Sequence, residues 1–273
     1  SEPETRNMRD FCNAHQFNLS LSNHTYGNLL LYPWGYDYST YTPDSTAYFE
    51  FAKHLTVENH YNYGTSNETV GYLTNGGSRD WMHGEQGTKP RIFALTSEAG
   101  TAVDGFWPPQ NRIVSICKEN LTQNLHLAHL ALKYAIVKDN EPRYISTLTG
   151  HFNYKIRRIG LAFPATFTVS IVSLTSNIST VGAPKTYSSL VAFQETSDSI
   201  SFTLGAVTPG QAIEYIISVS NGSYTYVDTI EKMYGQPVTV FSSNGNAITG
   251  WTTSTGWGVD NNVFFFIHRF HYG

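Results

Sequence analysis

The chain has 273 residues, of which 40% are hydrophobic and 14% are charged, and its formal net charge is −4. That length allows one large domain or two ordinary ones, and the small acidic excess argues against a nucleic-acid partner or a polybasic membrane-binding surface. No apolar run of about 18 residues is present, so the sequence predicts no membrane span. The two cysteines, Cys12 and Cys117, either pair as a disulfide or remain two buried thiols.

The first predicted elements are a helix and a strand. A cap residue, a proline and first-turn acids in Ser1–Glu4 predict a helix start, and Met8 and Phe11 lie on one face of that helix. Alternating apolar and polar residues then predict a half-buried strand over Phe17–Ser22.

His24 follows this strand directly. The strand would deliver its imidazole to the carboxyl edge of a sheet, the edge at which open α/β sheets bind ligands. The loop that follows is rich in aromatic residues, which suits a cleft wall: Tyr26, Tyr32, Trp34, Tyr36 and Tyr38. The alternative is a buried histidine covered by a tyrosine-rich loop.

A second helix is predicted to open at Thr42–Asp44. Its apolar stripe consists of Ala47, Tyr48, Phe51, Ala52 and Leu55. Residues 57–75 are polar and contain glycine, which predicts a long loop, and Gly76–Trp81 predicts a tight turn that leads into a short helix.

The next elements are a buried strand and a long helix. The apolar run Arg91–Thr96 predicts the strand, and Glu98 lies at its end. After the aromatic turn Gly105–Pro109, helical spacing predicts one helix over Asn111–Val137. Its stripe consists of Ile113, Ile116, Cys117, Leu121, Leu125, Ala128, Leu132 and Ala135.

From Tyr144 onwards the pattern changes to short alternating segments separated by turn residues. The predicted strands are Phe167–Leu174, Ser199–Leu204, Ile213–Val219 and Val238–Phe241. This spacing is typical of an all-β, Ig-like sandwich. Its residues indicate no chemistry, which leaves a spacer or a folding accessory as the simplest interpretation.

Three polar residues in the first half, His24, Asp80 and Glu98, fall at strand ends or tight turns. Burial would raise the pKa of Glu98 and suit it to act as a general base, whereas the alternative is a surface salt bridge. Two His-x-x-His pairs, His126/His129 and His268/His271, have no third metal ligand nearby in sequence.

Four ordered segments within residues 1–138 resemble the C-terminal half of the catalytic domain of zinc metallocarboxypeptidases of the carboxypeptidase A/B/T type. The segments are SEPET with its helix, SNHTYGNLLLYPWGY, YLTNGGSRDW, and FALTSEAG followed by GFWPP. Their order and spacing agree with the family pattern.

The resemblance implies a role for each matched residue. His24 matches a zinc ligand at a strand end, and Glu98 matches the glutamate that serves as general base. Tyr72 matches a mobile tyrosine that closes over the substrate's terminal carboxylate, and Tyr26 is assigned to substrate binding. Arg79 lies where the family reads the C-terminal side chain, so it would favour an acidic residue, unless it pairs with a neighbour such as Asp80 instead.

One departure limits this assignment. The family's other two zinc ligands come from a His-x-x-Glu motif upstream, and the chain contains no such motif. We therefore expect a fragment that holds zinc weakly and is inactive alone. The alternative is a non-catalytic pseudo-peptidase that binds peptide or glycan.

The resulting prediction is an α/β fold, a partial carboxypeptidase-like mixed sheet with flanking helices, joined to an all-β sandwich. Residues 1–139 form the peptidase part, residues 140–230 form the sandwich, and residues 231–273 form either its end or an incomplete third β module with an irregular tail. The expected cofactor is zinc, with one ligand of three present. The expected partners are the C-termini of peptides or proteins, and the resemblance implies a secreted, bacterial protein.

Overall fold

The computed structural model describes residues 2–237, in which five helices and thirteen strands occur. The helices are α1 (Pro3–Ala14), α2 (Ser45–Leu55), α3 (Ser66–Thr69), α4 (Ser78–Gly84) and α5 (Gln110–Ala131). The strands are β1 (Leu19–His24), β2 (Leu29–Leu31), β3 (Asn62–Gly64), β4 (Phe93–Glu98), β5 (Ala135–Asp139), β6 (Tyr144–Ile145), β7 (Thr149–Arg158), β8 (Phe167–Ser173), β9 (Ile178–Val181), β10 (Lys185–Tyr187), β11 (Glu195–Leu204), β12 (Ala212–Ser220) and β13 (Thr225–Tyr234).

The N-terminal region is built on a mixed four-stranded sheet in the order β1-β4-β2-β3. β1 runs parallel to β4, β2 runs antiparallel to β4, and β3 runs parallel to β2. The predicted stripe of α2 is confirmed, because Tyr48, Phe51 and Leu55 are buried in the core of this region. A mixed sheet with flanking helices confirms the α/β part of the predicted fold class.

The C-terminal region consists of two further sheets that share one hydrophobic core. Their strand orders are β10-β8-β12-β13-β6 and β5-β7-β11-β9. Inward-facing residues alternate along the strands of both sheets, and the stacked rings of Phe152 and Tyr215, 4.0 Å apart, join the two layers. Strands β8, β11 and β12 confirm three of the predicted segments, and the fourth, Val238–Phe241, lies outside the described residues.

The prediction of one helix over Asn111–Val137 was wrong at its C-terminal end. α5 stops at Ala131 and Leu132 is extended. The following run, Ala135–Asp139, forms β5 and pairs antiparallel with β7. A short apolar run fits either a buried helix or a strand, and here the partner strand decides the outcome.

The predicted apolar stripe of α5 was also largely wrong. Ile113, Leu121, Leu125 and Leu132 are about half exposed, at 48, 56, 52 and 60%. The helix buries Asn120, Gln123 and Leu130 instead. Asn120 is held on this side by hydrogen bonds with Tyr61 and Ser97, whereas the side-chain amide of Gln123 has no hydrogen-bond partner among the described residues.

The prediction of a structureless loop over residues 57–75 needs correction as well. β3 lies within it and pairs with β2, and α3 follows directly. A complete capping box starts α3: Glu68 N–H donates to Thr65 Oγ1, and Thr65 N–H donates to the Glu68 carboxylate.

The boundary between the two predicted domains, placed at residues 139/140, remains a proposal. The pairing of β5 with β7 favours a boundary near residue 133, and β13 continues to Tyr234, beyond the predicted limit at residue 230. Ser1 and the tail pair His268/His271 lie outside the described residues.

The question of the two cysteines is settled within residues 2–237. Both are free: Cys12 is buried and Cys117 is exposed. In the same part of the chain, no helix is both long and apolar enough to cross a membrane.

Candidate active site

His24 and Glu98 are the last residues of two neighbouring parallel strands. They are Cα partners in the register of β1 and β4, and the N–H of Ala99 donates to the carbonyl of His24 at 2.8 Å. Residues in register on adjacent strands project from the same face of a sheet. The sheet therefore delivers an exposed imidazole and a half-buried carboxylate to one edge.

The electrostatic environment of Glu98 suits a proton acceptor. Burial raises the pKa of Glu98 above its ordinary value, and the positive charges of His24 and Arg79 partly oppose this shift. A carboxylate with a raised pKa is a stronger base than one in water. Glu98 is thus poised to accept a proton beside a possible metal ligand.

The aromatic segment after His24 closes one side of this edge. The N–H groups of Gly27 and Asn28 donate to the carbonyl of Gly100, at 2.7 and 2.9 Å, so this segment is tied to the residues just after Glu98. The ring of Tyr26 meets the ring of Phe106 edge to face at 4.9 Å. Tyr26 is 37% exposed and Phe106 76% exposed, which leaves an accessible aromatic wall.

Asp80 of α4 binds the backbone of the aromatic segment. Its two carboxylate oxygens accept hydrogen bonds from the N–H of Gly35 at 3.0 and 2.9 Å. Gly35 leaves no room for a side chain, because a Cβ would lie 2.6 Å from Thr74 Oγ1 and 2.7 Å from Arg79 Nη2. The aromatic segment and α4 are therefore packed tightly together.

Arg79, the neighbour of Asp80 in α4, is buried beside this contact. Its Nη2 donates to Ser66 Oγ at 2.7 Å, whereas its Nε lies 3.7 Å from Asp80 Oδ1 and has no hydrogen-bond partner in the described structure. Burial lowers the pKa of Arg79, and the charges of Asp80 and Glu98 oppose that shift. The guanidinium is therefore only partly neutralised.

Tyr72 lies apart from the other predicted site residues. It is 59% exposed and follows Gly71, whose φ is +75°. Within residues 2–237 it forms no hydrogen bond with His24, Glu98 or Arg79. The structure thus brings together His24, Glu98 and Arg79 and leaves Tyr72 on an open loop.

The residues present do not make a zinc site. Catalytic zinc has three protein ligands, but no group of three or more His, Cys, Asp or Glu side chains is arranged to hold a metal within the part of the chain that is described. His24 is a single candidate ligand, with one carboxylate, that of Glu98, beside it in register.

Two supporting residues were missed in the sequence. Ser66 is fully buried and accepts from Arg79, and the capping box Thr65-x-x-Glu68 was the signal that could have placed it. Asn120 donates to Tyr61 at 3.0 Å and accepts from Ser97 at 3.2 Å, which anchors the strand end that carries Glu98. Nothing in the sequence around Asn120 indicated that this polar residue of a predicted helix would be buried.

Comparison with known proteins finds a similarity to one family in this region. The sequence model of the zinc carboxypeptidase family matches residues 1–123, the stretch that contains the paired strand ends and Arg79. This part of the chain is similar to the zinc carboxypeptidase family. The two C-terminal sheets lie beyond the matched stretch.

Individual carboxypeptidases are similar to the same region. Carboxypeptidase A1 of Bos taurus is 36% identical over 126 residues, which cover 44% of this chain and 29% of the relative. Carboxypeptidase B of Astacus astacus is 33% identical over 129 residues, covering 44% of this chain and 41% of the relative. The crystal structure of thrombin activatable fibrinolysis inhibitor is 27% identical, with a TM-score of 0.38, and covers 47% of this chain and 34% of that chain. The chain thus spans well under half the length of these relatives.

Proposed function

We propose that residues 1–123 supply part of the active site of a zinc-dependent carboxypeptidase that removes C-terminal residues from peptides. The observation that carries the proposal is the register of His24 with Glu98 at adjacent strand ends, beside the buried Arg79. Similarity to an enzymatic family supports it.

Glu98 is proposed as the general base. With its pKa raised by burial, it would accept a proton from the attacking water and pass that proton to the amine of the departing residue. The nearby guanidinium of Arg79 opposes that rise in pKa and favours the ionised carboxylate.

His24 is proposed as one zinc ligand. When bound in a complete site, zinc lowers the pKa of a bound water and polarises the scissile carbonyl. Because His24 alone does not fit zinc, two further ligands would have to join it from outside residues 2–237. We therefore expect the isolated chain to bind zinc weakly and to release no C-terminal residues.

Arg79 is proposed to select acidic C-terminal residues. Its guanidinium is buried, donates to Ser66 Oγ at 2.7 Å and lies 3.7 Å from Asp80, whose carboxylate also accepts from Gly35. A substrate carboxylate would bind this guanidinium in competition with Asp80. Tyr26 and Tyr72 would contact the bound peptide from the aromatic wall and from the exposed loop.

A second candidate is a non-catalytic peptide- or glycan-binding protein. It is favoured by the lack of a three-ligand group in residues 2–237. On either proposal the two C-terminal sheets form an Ig-like sandwich that serves as a spacer or folding accessory, and the protein is secreted, in a bacterial host.

A chimera distinguishes these functions. The part of carboxypeptidase A1 of Bos taurus that lies upstream of the matched segment would be joined to this chain, and release of the last residue from blocked dipeptides ending in Glu, Phe or Lys would be measured with zinc. We expect release, with Glu preferred, and loss of that preference in Arg79→Ile. A folded chimera that binds zinc and these dipeptides without hydrolysing them would support the binding protein instead. The unmodified chain is the inactive control.

A further inference from the structure

Three histidines that the proposed active site does not use lie together in a cluster with two tyrosines. His54 of α2 stacks on His126 of α5 at 4.7 Å. His129, one turn further along α5, contacts the rings of Tyr134 at 5.1 Å and Tyr224 at 4.7 Å. Tyr134 also contacts His54 at 5.5 Å. These five residues are called the histidine cluster below.

The histidine cluster lies where the carboxypeptidase region meets the two C-terminal sheets. Tyr224 comes from the turn between β12 and β13, whereas the three histidines come from α2 and α5. Three contacts surround it. Arg157 of β7 pairs with Glu50 at 2.7 Å, Phe193 packs on Phe51 at 5.1 Å, and the side-chain amide of Asn221 donates to the carbonyl of Lys133.

The surroundings of the cluster disfavour a positive charge. Buried nitrogens of His54 (Nε2) and His129 (Nδ1) have no hydrogen-bond partner in the described structure, and the Nδ1 of His126 lies 3.3 Å from the carbonyl of His54. The neighbouring charged groups are cationic: Lys138 from β5 and Arg157 from β7. The carboxylate of Glu50 is already paired with Arg157.

These surroundings favour the neutral forms of His54 and His129. Burial lowers the pKa of His54 to about 4, and the charges of His126, His129, Lys138 and Arg157 act in the same direction. Burial, followed by the charge of His126, also lowers the pKa of His129. An exposed histidine has a pKa of about 6.5, so an opened interface binds more protons than a closed one below that pH.

We propose that the histidine cluster is a pH-sensitive lock, which holds the C-terminal sheets against the carboxypeptidase region near neutral pH and weakens that contact in acid. A group whose pKa is lower in the closed state than in the open state makes closure less favourable as pH falls. The loss begins near pH 6.5 and, for His54, is complete near pH 4. Between pH 7 and 5 the opening equilibrium should rise roughly tenfold to thirtyfold.

The test is amide hydrogen exchange of the full chain between pH 7 and 5, corrected for the intrinsic effect of pH on exchange. Peptides that cover residues 125–135 and 219–227 should lose protection as pH falls, whereas β11 should stay protected. The double variant His54→Phe/His129→Phe keeps aromatic packing without a titrating group at these two positions. In the same peptides, its loss of protection between pH 7 and 5 should be less than about a third of the loss in the unmodified chain. His151→Gln, which changes an exposed histidine on β7, should behave as the unmodified chain does.

Unchanged protection from pH 7 to 5, or an equal loss in the double variant, would overturn the lock. If the double variant does not fold, NMR titration of the unmodified chain decides the question. The lock requires the His54 imidazole to titrate well below pH 6, and titration near the ordinary value of about 6.5 would refute it.

Discussion

Gly35 and Asp80, far apart in sequence, are joined by two hydrogen bonds, from one backbone N–H to both carboxylate oxygens at 3.0 and 2.9 Å. This contact fixes the aromatic segment that follows His24 against α4, the helix that carries Arg79. The absence of a side chain at Gly35 allows the approach, because Thr74 and Arg79 occupy the space where a Cβ would lie.

Gly35→Ala should therefore destabilise the fold and displace Arg79. A Cβ 2.6 Å from Thr74 Oγ1 and 2.7 Å from Arg79 Nη2 forces both to move. We expect a loss of about 1–3 kcal/mol in the free energy of unfolding, measured by urea denaturation. Gly77→Ala is the matched control, because nothing lies within 4 Å of the added Cβ, and it should cost less than about 0.5 kcal/mol. Equal effects of the two substitutions would contradict the tight fit at Gly35.

Arg158→Met should be among the most destabilising single substitutions. Arg158 is 2% exposed and donates to the backbone carbonyls of Gly160, Leu161, Ala162 and Leu190. Removing the guanidinium leaves these carbonyls without their donors, so we expect a loss of about 3–5 kcal/mol in the free energy of unfolding.

Arg143→Met provides the comparison for Arg158. Arg143 pairs with Glu231 at 3.2 Å at the surface, where its side chain is 63% exposed. Exposed ion pairs contribute about 0–1 kcal/mol, so its loss should be small. A similar loss in both variants would show that the carbonyl contacts of Arg158 contribute little.

Glu98→Gln should make the chain more stable at pH 7. Burial raises the pKa of Glu98, so its stabilising contribution is present below its unfolded pKa of about 4.3 and is lost as pH rises through the folded value. Since the group is partly exposed, the gain should be less than about 1 kcal/mol. Urea midpoints at pH 7 and pH 4 check this, and a variant that is less stable than the parent at pH 7 would contradict the raised pKa.

The sequence was sufficient to predict the strand ends at His24 and Glu98, but not the side-chain contacts that surround them. His24 follows an alternating segment and Glu98 follows an apolar run. These two patterns sufficed to predict the strand ends, and the register of β1 with β4 aligns the two residues. The contact of Arg79 with Ser66 depends on α3, which begins inside an otherwise polar stretch. A one-turn helix has no periodicity, and the capping box was its one local signal.

The C-terminal part of α5 was mispredicted for a different reason. The run Ala135–Val137 fits helix and strand patterns equally, and pairing with β7 makes it a strand. The buried side of α5 carries Asn120 and Gln123, so hydrophobicity alone pointed to the wrong face. Long-range pairing makes the run after α5 a strand, and hydrogen bonds with Tyr61 and Ser97 hold Asn120 on the buried side of α5. Neither feature follows from local sequence.

The proposed role of Glu98 is tested most directly by the rate of the chimera described above with Glu98→Gln, measured alongside its zinc content. Glutamine occupies the same space but accepts no proton at working pH. The proposal predicts that the rate of release falls by roughly 10² to 10⁴ while zinc content is unchanged. A Glu98→Gln chimera that retains zinc and hydrolyses the dipeptides at the parent's rate would contradict it.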